Sequence, residues 1–439
     1  MNVTEEDAVA VPNRRTNRRP VMAGRRERAV FLAGVAVIAL HVVDDSFLQP
    51  QPGTSAWDHL VSGLVPLAVL ALAAVVFPRL RGGRRAAITL FVGFFGIAFG
   101  IEGAYYTNKV GASGDDFTGL LSLLAGVVLL ALGIVTLWRT RRRHGPLWRR
   151  SLRRAGLGAV GFLVFVFLLL PLGYAYVGTH VARTPVDDID LGSANVQDVQ
   201  LRTSDGLTLE GSYVPSRNGA AVIVGFGRKG SQDPARMMAR HGYGVLIFDR
   251  RGEGKSDGDP NPYAWNGGEK DLRAAIGFLK GRRDVEPGRI GGIGLSVGGE
   301  TFLQTAARSD DVQAVVSEGA TARSGGELDS VPGSPLAQVM INRIVTAGTA
   351  VFSNASPPEH LIDQVDEIAP RAMFLIYAPK VDNGDEERFS HAYYREAGRP
   401  KLIWGVPEAG HVGAQDARPR EYERRITRFF DEALRQDER

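Results

Sequence analysis

The sequence predicts two parts: an all-α transmembrane bundle of about five helices, followed by a mostly parallel α/β sheet covered by helices, with a small cap insertion. Three observations carry this. Five apolar runs, at roughly 29–48, 60–78, 86–106, 118–138 and 155–177, match the ~20 residues a helix needs to cross a bilayer. From about residue 190 the apolar runs become short and alternate with helical stretches. A Gly-Leu-Ser-Val-Gly pentapeptide, 294–298, falls between one such strand and the helix after it.

Composition sets the frame. A chain of 439 residues suggests two or three domains. The formal charge of +4 divides into +10 before residue 179 and −6 after it. The basic excess sits between apolar runs and the globular part is mildly acidic, so nucleic acid is not an expected partner. Cysteine is absent, which excludes disulfides, thiolate metal sites and a cysteine nucleophile.

In the membrane part, residues 1–28 form a basic cytoplasmic tail and 29–178 the spanning region. A cleaved signal peptide is a poor reading of the first run, because four more follow. The short loops leave no polar faces for a soluble bundle, and the third run ends in the paired Tyr105 and Tyr106 that suit a headgroup layer. Charge sets orientation, since Lys and Arg stay on the cytoplasmic side. The tail carries seven arginines from Arg14 to Arg28, the second connection four and the fourth connection eight, whereas the other two connections together carry one lysine. With the N-terminus inside and five crossings, everything after Val177 is expected outside the cytoplasm, as part of a multi-pass cell-membrane protein.

The ionisable residues of the runs gather at the outer ends: His41, Asp44 and Asp45 on one helical face, Asp58 and His59 opening the second run, and Glu102 near the end of the third. Such groups can serve metal, proton or substrate contact. Here they are read as polar packing near the interface.

The globular part runs from 190 to 439. The stretch 196–215 reads as two alternating strands joined by a turn at Ser204, Asp205 and Gly206. Buried-strand runs follow, "AAVIV", "YGVLIFD", "RIGGIGL", "VQAVVSE", "RAMFLIYA" and "PKLIWGV", with helices such as "GEKDLRAAIGFLKG" between most of them. Apolar strands alternating with helices indicate a parallel sheet covered on both faces. Residues 320–368 interrupt the alternation, and "PLAQVMINRIVTAGTAVF" within them is apolar enough for one amphipathic helix of a cap above the serine.

Ligand sites in open α/β sheets lie at the carboxyl ends of strands, where Ser296 falls. A strand-to-helix turn this sharp strains the serine backbone and needs flanking residues without bulk, which Gly294 and Gly298 supply. It also directs the N–H of Val297 towards developing negative charge. A serine hydroxyl needs a base, and the base an orienting acid. His411 lies in a glycine-flanked loop just after the last strand, and Asp382, Asp385, Glu386 and Glu387 follow the penultimate one.

In these features residues from about 195 onward resemble the α/β-hydrolase superfamily. The segment "DRRGEGKSDGD" is similar to the family's D-x-R-G-x-G-x-S core at Asp249, Arg251, Gly252, Gly254 and Ser256, and "PKLIWGVPEAGH" resembles the approach to its catalytic histidine. The resemblance implies Asp382 as the acid, with Glu386 the alternative. Where the family usually has His-Gly after the first buried strand, this chain has "GFGRKG", so the second oxyanion N–H is expected from Phe226 or Gly227. The whole arrangement resembles membrane-anchored actinobacterial members.

The expected function is that of a membrane-anchored serine hydrolase, cleaving an ester or amide of a small-molecule, lipid or peptide substrate outside the cytoplasm through an acyl-enzyme on Ser296. No cofactor and no metal are expected, since "GFGRKGS" lacks the ending of a phosphate loop. The rival reading is a non-catalytic binding or sensing module on the same fold.

Overall fold

The structure is a computed structural model of the full chain. It describes residues 24–49, 56–57, 59–110, 114, 116–140, 146–180, 191, 195–225, 232–259, 267–353 and 355–434, apart from the side chains of 102, 105, 106, 108–110, 382 and 383. Six helices form the N-terminal part: α1 (Arg25–Val43), α2 (Leu60–Val76), α3 (Gly82–Val110), α4 (Asp116–Thr140), α5 (Leu147–Val164) and α6 (Leu170–Thr179). A π-helical turn, Phe165–Leu169, joins α5 to α6 into one continuous rod. Counted this way, five helical segments among the described residues are long and apolar enough to cross a membrane: Arg25–Leu48, Leu60–Arg79, Gly82–Ile101, Asp116–Thr140 and Leu147–Thr179.

Small residues let α3 and α4 touch. A Cβ on Gly93 would lie 2.8 Å from the Leu130 nitrogen, and one on Gly126 2.6 Å from that of Ile97. This is the close backbone approach that small residues permit between packed helices. At one end of the bundle His41 places Nδ1 3.2 Å from Thr118 Oγ1 and Nε2 3.0 Å from the Phe99 carbonyl. Thr118 donates to Asp44 at 2.7 Å, and Asp45 lies 3.5 Å from His180. His41, Asp44, Asp45 and Thr118 each meet a protein partner. Asp58 and the Glu102 side chain lie outside the described residues. Among the described residues no group of three or more His, Asp and Glu is arranged to hold a metal ion.

The second part is one eight-stranded sheet of order β1-β2-β4-β3-β5-β6-β7-β8. In chain order it comprises β1 (Gln197–Arg202), β2 (Thr208–Val214), β3 (Ala221–Gly225), α7 (Asp233–Arg240), β4 (Gly244–Phe248), α8 (Gly268–Lys280), β5 (Ile290–Leu295), α9 (Val297–Ala307) and β6 (Ala314–Glu318). Then come α10 (Gly325–Ser330), α11 (Leu336–Ser353), β7 (Ala372–Tyr377), α12 (Asp385–Glu396), β8 (Lys401–Gly405), α13 (Ala414–Ala417) and α14 (Pro419–Leu434). β2 runs antiparallel to both its neighbours and the six strands from β4 to β8 pair in parallel. Alternate residues of β3 divide between two cores: Ala221 and Ile223 pack with Leu272, Phe302 and Tyr393 on one face, Val222 and Val224 with Met238, Ile426 and Phe430 on the other. That is the two-sided burial that makes central parallel strands continuously apolar.

Glycines in the strands set how close α9 lies. A Cβ on Gly225 would meet the Phe302 ring at 2.8 Å, and Gly292 faces the same ring more closely still. Phe302 is 1% exposed, so the first helix after the serine is seated directly on the sheet.

Residues 320–368 form α10, α11 and two 3-10 turns, Leu361–Asp363 and Val365–Ile368. The expected amphipathic helix is α11. It packs against α10, but also along α6, the π-helical turn and α2. Gly348 faces Leu172 and Ala175, and the Phe352 ring stands 5.3 Å from that of Tyr176 at 85°.

Candidate active site

Ser296 occupies the turn between β5 and α9 with φ 53° and ψ −125°. It is one of two non-glycine residues of positive φ among the described residues, the other being Val412. Such a backbone costs on the order of 1–3 kcal/mol and persists where the surroundings fix it. Here the Ser296 N–H donates to the Glu318 carbonyl at 2.8 Å. Tight sterics explain the glycines: a Cβ on Gly294 would strike the Gly298 carbonyl and lie 2.6 Å from Gly299 Cα, and one on Gly299 would strike Ser317 Oγ. Gly298 thus matters through its backbone, and Gly299 is a constraint the sequence reading missed.

His411 follows β8 in a loop, with Nε2 2.9 Å from Ser296 Oγ and Nδ1 2.5 Å from Glu386 Oε1. The imidazole is 41% exposed and the Glu386 side chain fully buried. One nitrogen therefore serves an open site while the other is held by a sealed carboxylate. Glu386 Oε2 accepts the Ala378 N–H at 2.9 Å, which fixes the carboxylate plane from the end of β7.

The residue described against His411 Nδ1 is thus Glu386, the alternative named for the acid. Asp382 lies in the 3-10 turn Val381–Gly384, and its side chain is outside the described residues. Gly384, at φ 87°, then starts α12, whose first turn carries Glu386 inward beneath the histidine. Asp385 instead pairs with Arg388 at 2.8 Å and accepts Gln338 Nε2 of α11 at 3.0 Å.

Two further residues shape the histidine. Glu318, at the end of β6, accepts the Ala414 N–H at 2.9 Å and so ties the His411 loop to the sheet. Burial first, and then the neighbouring Glu386 charge, push its carboxyl up to about 7. Gly319, at φ 74°, gives the imidazole room, since a Cβ there would lie 3.1 Å from His411 Cε1. Behind them Glu300 of α9 is buried and accepts the Thr321 N–H at 3.2 Å, and burial pushes it too up to about 7. A glutamate closing a strand is an ordinary sequence feature, so nothing local marked Glu318.

Val297 is the first residue of α9, so its N–H has no acceptor within the helix. It is available to an oxyanion beside Ser296. Phe226 and Gly227, expected to complete the hole, lie outside the described residues; Gly225, at the end of β3, pairs with Gly294.

The D-x-R-G-x-G-x-S segment is architectural. Arg251 bonds buried Asp271 at 2.6 and 3.0 Å and Asp205 at 3.0 Å. Ser256 donates to the Asp249 carbonyl at 2.7 Å and accepts from Glu210 N at 2.9 Å, joining the loop to β2. Gly252 and Gly254 have φ of 72° and 52°, which glycine adopts freely.

Parts of this chain are similar to known proteins. Residues 173–373 match the family model described as X-Pro dipeptidyl-peptidase (S15 family), a span that includes Ser296 and ends before Glu386 and His411. The protein YfhR of Escherichia coli K12 is 26% identical over 232 residues, covering 50% of this chain and 75% of its own length. Thiohydrolase aneE of Aspergillus aculeatus is 25% identical over 183 residues, 40% of this chain and 57% of that protein. The esterase Pf2001 of Pyrococcus furiosus aligns in structure with TM-score 0.46 at 21% identity, over 58% of this chain and all of that one. The sheet order and the strand–serine–helix turn give the globular part of this chain the α/β-hydrolase fold.

Proposed function

We propose that this protein is a membrane-anchored serine hydrolase that cleaves an acyl ester or amide outside the cytoplasm. The observation that carries the reading is the position of His411, with one ring nitrogen 2.9 Å from Ser296 Oγ and the other 2.5 Å from buried Glu386. In this reading the Nδ1–H of His411 donates to the Glu386 carboxylate, which leaves Nε2 free to accept the serine proton. Ser296 Oγ attacks the acyl carbon, and the oxyanion is met by the Val297 N–H, with Phe226 or Gly227, outside the described residues, the expected second donor. His411 then returns the proton to the leaving group. Water, deprotonated by the same nitrogen, attacks the acyl-enzyme, and the acid leaves as Ser296 recovers its proton.

Membrane anchoring and sidedness rest on the five long apolar helices and on the bias of arginine and lysine among their connections. The experiment joins both claims: cells carrying the full chain are treated with a membrane-impermeant fluorophosphonate. Labelling of intact cells that disappears in Ser296→Ala is the expected result. Labelling that survives Ser296→Ala would reject the nucleophile, and labelling seen after lysis alone would reject the sidedness.

A further inference from the structure

The helix α11 is long and nearly free of charge. In its 18 residues, Leu336 to Ser353, Arg343 is the one ionisable side chain, and it pairs with Asp329. Its neighbours belong to two worlds. Towards the hydrolase site, Thr346 Oγ1 accepts the Gly325 N–H at 2.8 Å and Gln338 donates to Asp385, next to Glu386. Towards the bundle, Gly348 comes so close to α6 that a Cβ would lie 2.8 Å from Ala175 Cβ, and Phe352 joins the apolar core of the spanning helices. α11 also touches the π-helical turn Phe165–Leu169, which lies inside the fifth spanning segment.

An apolar helix beside the interior of a crossing helix shares its lipid environment, and two of its side chains, Leu336 at 75% and Met340 at 46% exposure, present apolar surface that no protein covers. Both lie in the half of α11 nearer Gln338, and so nearer the acid loop. We propose that α11 is immersed in the outer leaflet beside the fifth crossing helix and guides the acyl chain of a membrane lipid to Ser296, so that the substrate is a long-chain acyl ester carried by that lipid. The occupant of the exposed face is an acyl chain because α11 is continuous with surfaces that face the bilayer. The inference rests on the serine-hydrolase reading given above. The reaction is balanced by water: the lipid oxygen leaves with the proton from His411, and hydrolysis of the acyl-enzyme releases a fatty acid.

The test uses the purified full-length chain in phosphatidylcholine nanodiscs, with rates expressed per fluorophosphonate-titratable site so that misfolded protein drops out. Two kinds of probe are compared: p-nitrophenyl acetate in solution, and radiolabelled mono-oleoylglycerol or dioleoylphosphatidylglycerol in the disc. Wild type should release oleate from at least one lipid. Gly348→Leu, which forces α11 away from α6, and the double variant Leu336→Asp, Met340→Asp should each lower the ratio of oleate release to acetate hydrolysis by about tenfold or more. Because the double variant changes exposed positions, it tests the idea even where Gly348→Leu fails to fold. In a separate measurement Met340→Trp should be quenched by brominated lipid. Acetate hydrolysis without oleate release from either lipid, or a ratio unchanged in the double variant, or an unquenched Trp, would overturn the lipid assignment while leaving the hydrolase. A wild-type protein with no titratable site would overturn the hydrolase reading itself and this inference with it.

Discussion

Glu318 accepts the backbone N–H of Ala414 at 2.9 Å, and this bond fastens the end of β6 to the loop that carries His411. The glutamate is 3% exposed and pushed up to about 7, mainly by burial, against an ordinary 4.5. Glu300 behaves alike. A folded-state value above the unfolded one means that the folded chain binds more protons between about 4.5 and 7, so these groups favour folding most at low pH and that favour is lost as pH rises through 7. The loss is at most on the order of 3 kcal/mol per group. Glu318→Gln keeps an acceptor for Ala414 and removes one titration. Its melting temperature relative to wild type should therefore rise between pH 5 and pH 8. A constant difference across that range would count against a raised Glu318.

Glu386→Gln is expected to lower turnover of an activated ester by about 10³- to 10⁴-fold, because the amide favours the imidazole tautomer that cannot take the serine proton. Folding should survive, since Gln can still accept from Ala378 N–H. Asp382→Asn should stay within a few-fold of wild type. Kinetics of the two variants side by side would return the acid to Asp382 if their order were reversed.

The acid shows where sequence reading stopped. The alternation of apolar runs gave the sheet because period and burial are local properties of the chain, and Ser296 and His411 stood out because each follows a strand in a glycine-rich context. That Glu386 meets His411 depends on the path of the chain after β7, which enters α12 through Gly384 in the left-handed region. Nor could sequence foresee that Gly319, 92 residues before His411, leaves space for its ring. The docking of α11 on α6 was likewise hidden, since an amphipathic pattern says that a face is covered and not by what.

Gly319→Ala should lower turnover by about tenfold or more with a modest loss of stability. The added Cβ would push on His411 Cε1 from 3.1 Å, and φ 74° adds strain on the order of 1–2 kcal/mol. A fall in kcat with KM nearly unchanged is the expected split, because the displaced ring acts in the transition state. Full turnover would mean that the ring does not need that space.

The Arg251–Asp271 pair gives a contrasting result. Both side chains are buried, Asp271 completely, so Arg251→Met leaves an unpaired carboxylate and should cost about 3–5 kcal/mol, read as a much lower melting temperature. Arg251→Met with Asp271→Leu should recover a good part of that. In neither variant should the protein that remains folded lose fluorophosphonate labelling, as Arg251 bonds Asp271 and Asp205 and none of Ser296, His411 or Glu386. Labelling lost from folded protein would tie this motif to the site.

The last prediction concerns orientation. α6 leads from the fifth apolar segment towards β1, and the connections rich in arginine precede α1, join α2 to α3 and join α4 to α5. Five crossings would put those three on one side and whatever follows Thr179 on the other. If arginine retention fixes that first side as cytoplasmic, a reporter that fluoresces in the cytoplasm alone should be dark when fused after Arg439 and bright when fused within the fourth connection, after Arg143. Replacing the arginines of that connection by glutamine should weaken the bias and give a mixed signal, because the rule counts positive charge near helix ends. A bright fusion after Arg439 in the unmodified chain would place the site of Ser296 inside the cell, and would remove outer-leaflet lipid from its reach.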